Sequence, residues 1–134
     1  SIYLRPRLVE AETADEVHGP QILGAGSAGG GKFIGAINSG HYLRFQGILL
    51  EKVRRLTLSV TSAGSGGSIE IRLDKPDGDL LATVPVEVNG SWDKWYERTA
   101  ELPETHGRHD LIIRFVHPNN AGGLMNLDSI NFQK

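Results

Sequence analysis

Apolar and polar residues alternate with a period of two along most of this chain. In "RRLTLSVTSA", Leu56, Leu58 and Val60 alternate with Thr57, Ser59 and Thr61. In "SIEIRLD", Ile69, Ile71 and Leu73 alternate with Glu70, Arg72 and Asp74, and "HDLIIRFV" sets Leu111, Ile113 and Phe115 on one side. Successive side chains of a strand point to opposite faces, so each stretch predicts a strand with one buried and one wet side. Further strands are predicted in "RLVEAE", "GKFIGAI", "HYLRFQ", "DLLATVPVEV", "KWYERTA" and "LMNLDSINF", about nine in all. The breaks between them carry turn chemistry. "AGSGGS" and "KPDGD" supply glycines and a proline, so "RRLTLSVTSAGSGGSIEIRLD" reads as a hairpin that "DLLATVPVEV" continues as a meander. Pro85 puts its own strand at an edge or a bulge. No segment carries an amphipathic helical repeat, and in "VEAETADEV" a strand leading into a polar loop fits better than a helix favoured by propensity alone. The expected fold is all-β, a β-sandwich of two antiparallel sheets. It forms a single domain over residues 1–134, in which residues 1–6 read as the tail of a linker.

The same alternation raises a problem near both ends of the chain. In "GGLMNLDSINFQK" it places Leu124, Asn126, Asp128, Ile130 and Phe132 on one side, threading an amide and a carboxylate among core residues. In "LVEAET" it places Leu8, Glu10 and Glu12 together. A buried carboxylate without partners is costly, and neighbouring carboxylates repel unless positive charge sits between them. Three carboxylates with loop carbonyls suit calcium, a hard cation taking roughly 6–8 oxygen ligands. The loop "GSAGGGKF" is flexible enough to turn carbonyls inward, and Lys32 within it is counted in the same metal set. The alternative leaves Glu10 and Glu12 exposed on an edge strand, paired with Arg5 or Arg7.

Composition narrows the function. A net charge of −2 argues against nucleic acid, which is bound through basic surface. The absence of cysteine excludes disulfides and thiolate metal sites. No apolar run approaches the roughly 20 residues that span a bilayer. His18, His41, His106, His109 and His117 show no ligand spacing or nucleophile pairing. "GAGSAGGGK" lacks the spacing, the following Ser/Thr and the helix of a phosphate loop. The acid pairs are better explained structurally than as glycosidase carboxylates.

"NGSWDKWYERT" remains. Trp95 falls within a predicted strand and is expected in the core, whereas Trp92 follows Asn89, Gly90 and Ser91 and is expected to project from a loop. An exposed indole is apolar surface with a purpose, and the C–H faces of sugar rings stack on aromatics. Asn38, Asn119, Asn120 and Asn126 offer amides for hydroxyls. The alternative folds Trp92 back as a lid over the sandwich end.

From "VEAET" through "GGGKFIGAINSGHYLRF", "SGGSIEIRLDKPDGDLLATVPV" and "GSWDKWYERTAEL" to "HDLIIRFV" and "GGLMNLDSINF", the chain resembles the family 6 carbohydrate-binding modules. The resemblance implies a jelly-roll sandwich without catalytic activity, appended to a secreted polysaccharide-degrading enzyme. It implies a structural calcium at the matching Glu10, Glu12 and Asp128. It also implies a sugar site in the loops at one end, where Trp92 matches the loop tryptophan and Asn126 the asparagine of the last strand. Asn38, His41, Tyr42 and Asn120 complete the expected site. Where the family commonly has an aromatic after "FIG", this chain has Ala36, so either Tyr42 or Phe33 compensates or the sugar stacks on one face only. His41 stands where an acidic residue is frequent. The expected partners are a polysaccharide or oligosaccharide and an attached catalytic domain, with no nucleic acid and no membrane, for a monomeric extracellular module. Agarose-type galactan and β-1,3-glucan lead xylan as ligands. The alternatives are a family 35-like module in which calcium contacts uronic acids, an adhesion sandwich without a sugar site, and a small glycosidase.

Overall fold

The computed structural model describes residues 7–24, 28 and 31–134. Its strands are β1 (Arg7–Glu10), β2 (Glu16–His18), β3 (Gln21–Gly24), β4 (Lys32–Gly35), β5 (Tyr42–Leu49), β6 (Arg55–Thr61), β7 (Gly67–Leu73), β8 (Leu80–Val86), β9 (Tyr96–Glu101), β10 (Arg108–Val116) and β11 (Asn126–Gln133). One 3₁₀ turn, Ala11–Thr13, follows β1. The expected linker tail, Arg5 and most of the glycine-rich loop lie outside the described residues.

The strands form two antiparallel sheets. One has the order β3-β4-β11-β6-β9 with β1 also on β11; the other has the order β2-β5-β10-β7-β8. Between them lies a single apolar layer built from the alternating positions, with Leu58, Val60, Ile69, Ile71, Leu111, Ile113 and Phe115 fully buried. The outer face of the second sheet is kept dry at Ile112 by its lateral neighbours Arg44 and Arg72, whose aliphatic stems cover it. Pro85 sits on β8, an edge strand, as its missing N–H requires.

Three sequence expectations change. β6 and β7 do not form a hairpin: β6 pairs with β11 and β9, β7 with β10 and β8, so the chain crosses between sheets. The amides of Ser65 and Gly66 in the connecting loop bond to the carbonyls of Gly123 and Leu124 instead of closing a turn. The short strands β2 and β3, which carry no strong alternation, were not predicted. Most consequential is β11, where the register shifts between Leu127 and Ser129. Leu127 and Ile130 are both fully buried in the core, which strict alternation forbids; the bulge spends one residue and reverses the parity. Asn126 therefore faces away from the core side that Leu127 and Ile130 share.

Candidate functional site

Four loops meet at one end of the sandwich and are stitched by backbone hydrogen bonds. Ser39 donates to Ala121 (2.8 Å), Leu124 to Ile37 (3.0 Å), Ser65 to Gly123 (2.9 Å) and Asn89 to Ser62 (2.9 Å). Three buried or tethered polar side chains set the loop that carries Trp92. Ser62 Oγ donates to the Leu124 carbonyl at 2.6 Å and accepts the amide of Gly66 at 3.1 Å. Asn89 accepts the amide of Ser62 and donates to the Lys94 carbonyl, and Ser91 Oγ accepts the amides of Asp93 and Lys94. The result is a turn fixed on both flanks.

Trp92 stands on this turn with 45% of its surface exposed, as a projecting loop tryptophan. Beneath it, Asn126 is 5% exposed and donates from Nδ2 to the Trp92 carbonyl at 3.2 Å. Its Oδ1 lies where only glycine leaves room: a Cβ on Gly35 would come within 2.9 Å of it. A Cβ on Gly64 would likewise come within 3.0 Å of the Trp92 ring. The space-making role of Gly35 and Gly64 and the bracing role of Ser62 had no sequence signal, because both depend on neighbours distant in the chain. Asn89 was legible only as a turn former.

The remaining predicted sugar residues divide. Asn38 and Asn120 lie exposed in the loops of this end, and half-buried His41 accepts the amide of Asn38 on Nδ1 at 3.0 Å. Tyr42 is elsewhere. It begins β5 beside buried Leu43, faces outward from the second sheet, and its ring stacks on His18 at 4.4 Å. Phe33 is buried and meets Trp95 edge-on at 5.5 Å. Trp95 is not a core residue: it precedes β9, is half-buried, and covers Phe33. Ala36 is exposed in a left-handed conformation (φ 53°). Neither Phe33 nor Tyr42 is positioned as a second platform opposite Trp92.

The carboxylates of Glu10, Glu12 and Asp128 converge, each offering an oxygen within 4.8 Å of the others. Three local features bring them together. Glu10 ends β1 opposite Ser129, the 3₁₀ turn rotates Glu12 toward it, and the β11 bulge turns Asp128 off the regular ladder. On one edge of β11 the partner changes from β4 at Leu127 to β1 at Ser129, so Asp128 sits at the changeover. Glu10 Oε1 and Glu12 Oε1 are buried without a hydrogen bond among the described residues. Burial raises the pKa of both, and Asp128 raises it further; the charge of Lys32, exposed at the start of β4, opposes the rise at Glu12. Such an oxygen-only, negatively charged cluster could hold a hard divalent cation.

The comparisons with known proteins agree with this geometry. A module from Clostridium cellulolyticum solved in complex with xylose superposes with a TM-score of 0.88 at 29% identity, over 96% of this chain and 97% of that one. A β-1,3-glucan-binding module from Bacillus halodurans gives 0.88 at 31% identity, over 96% of each chain. An endo-1,4-β-xylanase A of Thermoclostridium stercorarium is 28% identical over 85% of this chain, which spans only 22% of that protein. The family model described as "Carbohydrate binding module (family 6)" matches residues 10–134. With a two-sheet antiparallel sandwich, a loop-borne tryptophan and that match over nearly its whole length, the chain belongs to family 6 of the carbohydrate-binding modules, a non-catalytic family found appended to glycoside hydrolases.

Proposed function

We propose that the loop end binds a β-linked polysaccharide, stacking one sugar ring on Trp92 while Asn126, Asn38 and Asn120 hydrogen-bond its hydroxyls. The observation that carries this reading is Trp92 itself, a large apolar ring held in water by a turn braced on both sides. Rigidity matters because a platform already in its bound conformation loses little entropy on binding. With Ala36 at the aromatic position, Phe33 buried and Tyr42 on another face, the sugar is gripped from one side only. That geometry tolerates bulk on the opposite face and suits a chain end better than a flat stacked chain. The xylose and β-1,3-glucan relatives support xylan and β-1,3-glucan as ligand classes. Agarose-type galactan draws no support from geometry or relatives at comparable identity. In the full-length protein the module holds an attached glycoside hydrolase near its substrate outside the cell, as the xylanase relative illustrates.

Calcium at Glu10, Glu12 and Asp128 is the second part of the proposal. It is supported by two buried, orphaned carboxylate oxygens in a cluster of three acids. Its contribution is structural, tying the end of β1 to the bulge of β11.

Titration of xylohexaose and laminarihexaose, followed by calorimetry or tryptophan fluorescence, tests the sugar site. Trp92→Ala is expected to weaken binding at least about thirtyfold, the effect of an interface hot spot. It should change stability by less than about 1 kcal/mol, because the ring covers little of the core. A Trp92→Ala protein that keeps wild-type affinity for both sugars would move the site away from this end.

A further inference from the structure

The histidines of the loop end share an unusual bonding pattern. His117 Nδ1 accepts two backbone amides, from Asn119 at 3.0 Å and from Asn120 at 2.9 Å. His41 Nδ1 accepts the amide of Asn38 at 3.0 Å. A backbone N–H can only donate, so in both rings Nδ1 must be the unprotonated nitrogen and Nε2 must carry the hydrogen. The His117 imidazole thus acts as an aspartate or asparagine does in an Asx turn, accepting amides two and three residues ahead. The His41 imidazole instead accepts the amide of the residue three positions behind it and closes the 38–41 turn from its far end. The two turns are also bound to each other: His117 N–H donates to Ser39 Oγ at 3.0 Å, and Ser39 N–H donates to the Ala121 carbonyl at 2.8 Å.

We propose that His41 and His117 are positioning residues of the sugar site, each holding an asparagine-bearing turn through the lone pair of Nδ1, so that protonation loosens both turns and weakens sugar binding. This deepens the loop-end reading and rests on it. Around His117 the packed segments are 38–41, 66–68 and 118–121, whose one other titratable group is His41. His41 lies against Gly19; the nearest titratable side chains toward β2 are His18 and the Glu16 carboxylate it contacts at 2.6 Å. Among the described residues no ion pair reaches either ring. Protonation therefore gains no carboxylate partner and loses three backbone hydrogen bonds. Burial, for its part, lowers the His41 pKa from its ordinary value.

Asparagine is the decisive replacement, because its Oδ1 stands close to where Nδ1 stands and cannot be protonated. Wild-type affinity for xylohexaose or laminarihexaose is expected to fall about tenfold from about pH 7.5 to about pH 5, the cost of one or two hydrogen bonds. The double variant His41→Asn/His117→Asn should show an affinity that no longer changes with pH, whatever its absolute level, whereas His117→Leu should bind weakly at every pH. Two nitrogen-15 NMR readouts need no sugar: the tautomer of each ring at neutral pH, and the protection of the Asn120 amide from exchange. An Nδ1–H tautomer at either ring, or protection unchanged by histidine protonation, overturns the proposal even if the site is where Trp92 indicates. A flat affinity profile in wild type overturns it equally. Retained affinity in Trp92→Ala sinks the site reading alone, because the two NMR readouts still decide whether the histidines hold the turns.

Discussion

Two groups of carboxylates in this molecule meet opposite circumstances. On the second sheet, Arg44 contacts Glu16 Oε1 at 3.2 Å and Asp110 Oδ2 at 2.9 Å, and Arg72 contacts Glu70 at 2.9 Å. Every one of these acids has a basic side chain within the same chain, and Glu16 is held below the usual carboxylate range by His18 and Arg44. On the first sheet, Glu10 and Glu12 face each other and Asp128, burial and repulsion push both upward, and the nearest helpful charge is Lys32. The residue types are the same, but each acid of the first group is balanced by a basic side chain, whereas Glu10 and Glu12 bury oxygens that have no hydrogen bond among the described residues. The proposed calcium would do at that bulge and changeover point what Arg44 does on the other sheet.

Removing the cation gives the largest expected difference. A ligand that binds only the native state at a hundredfold excess over its dissociation constant stabilises by about 2.7 kcal/mol. For a domain of this size that corresponds to roughly 10 °C in melting temperature. Chelation should lower the melt by that order, and Asp128→Asn should melt at the same temperature with and without chelator. A wild-type melt indifferent to strong chelator would break the comparison, leaving both groups self-sufficient.

Arg44→Ala should have the intermediate effect. It leaves Glu16 and Asp110 without their shared partner and uncovers Ile112, and an ion pair near the surface contributes modestly. A loss of roughly 1–2 kcal/mol is expected from the lost contacts and stem packing. The loss should be equal in calcium and in chelator, because the balanced group draws nothing from the cation. A loss that appears only in chelator would mean that the two groups are coupled through the core.

The sequence displayed the clustered group more clearly than the balanced one. Glu10, Glu12 and Asp128 stood out because they broke an apolar pattern, whereas Glu16, Glu70 and Asp110 looked like ordinary wet-face residues. The core was legible for a related reason: Leu58, Ile71 and Phe115 lie on strands whose period of two survives intact. What alternation missed lay where register changes or where sheets exchange strands. The β11 bulge reversed parity between Leu127 and Ile130, and β6 to β7 looked like a hairpin because local turn chemistry does not specify which sheet each arm joins. Trp92 was legible as a projecting ring from its turn-forming neighbours. His41 and His117 were not, because their partners are backbone amides, which no residue pattern records.

The smallest effect belongs to the balanced side and concerns His109, the second residue of β10, at the opposite end of that strand from His117. Its Nδ1 lies 3.0 Å from Asp74 Oδ2 and its Nε2 lies 2.9 Å from the His106 carbonyl. A ring with acceptors on both nitrogens satisfies both only as imidazolium, and the Asp74 carboxylate, followed by that carbonyl, raises its pKa. A raised histidine pKa contributes stability that is complete below the unfolded value near 6.5 and is lost as pH rises through the folded value. Glu16 runs the other way, its contribution present above 4.5 and lost as pH falls through its lowered value. The balanced group is therefore best satisfied between those limits. Asp74→Asn tests the histidine half without backbone strain, since asparagine tolerates the left-handed conformation found there (φ 71°). The variant should melt about a degree or two below wild type near pH 5.5, with the gap closing as pH rises toward about 8. Its sugar affinity should match wild type, since this end of β10 is remote from Trp92. A gap that instead widens with rising pH would show that His109 is held neutral, and would place it with the loop-end histidines rather than against them.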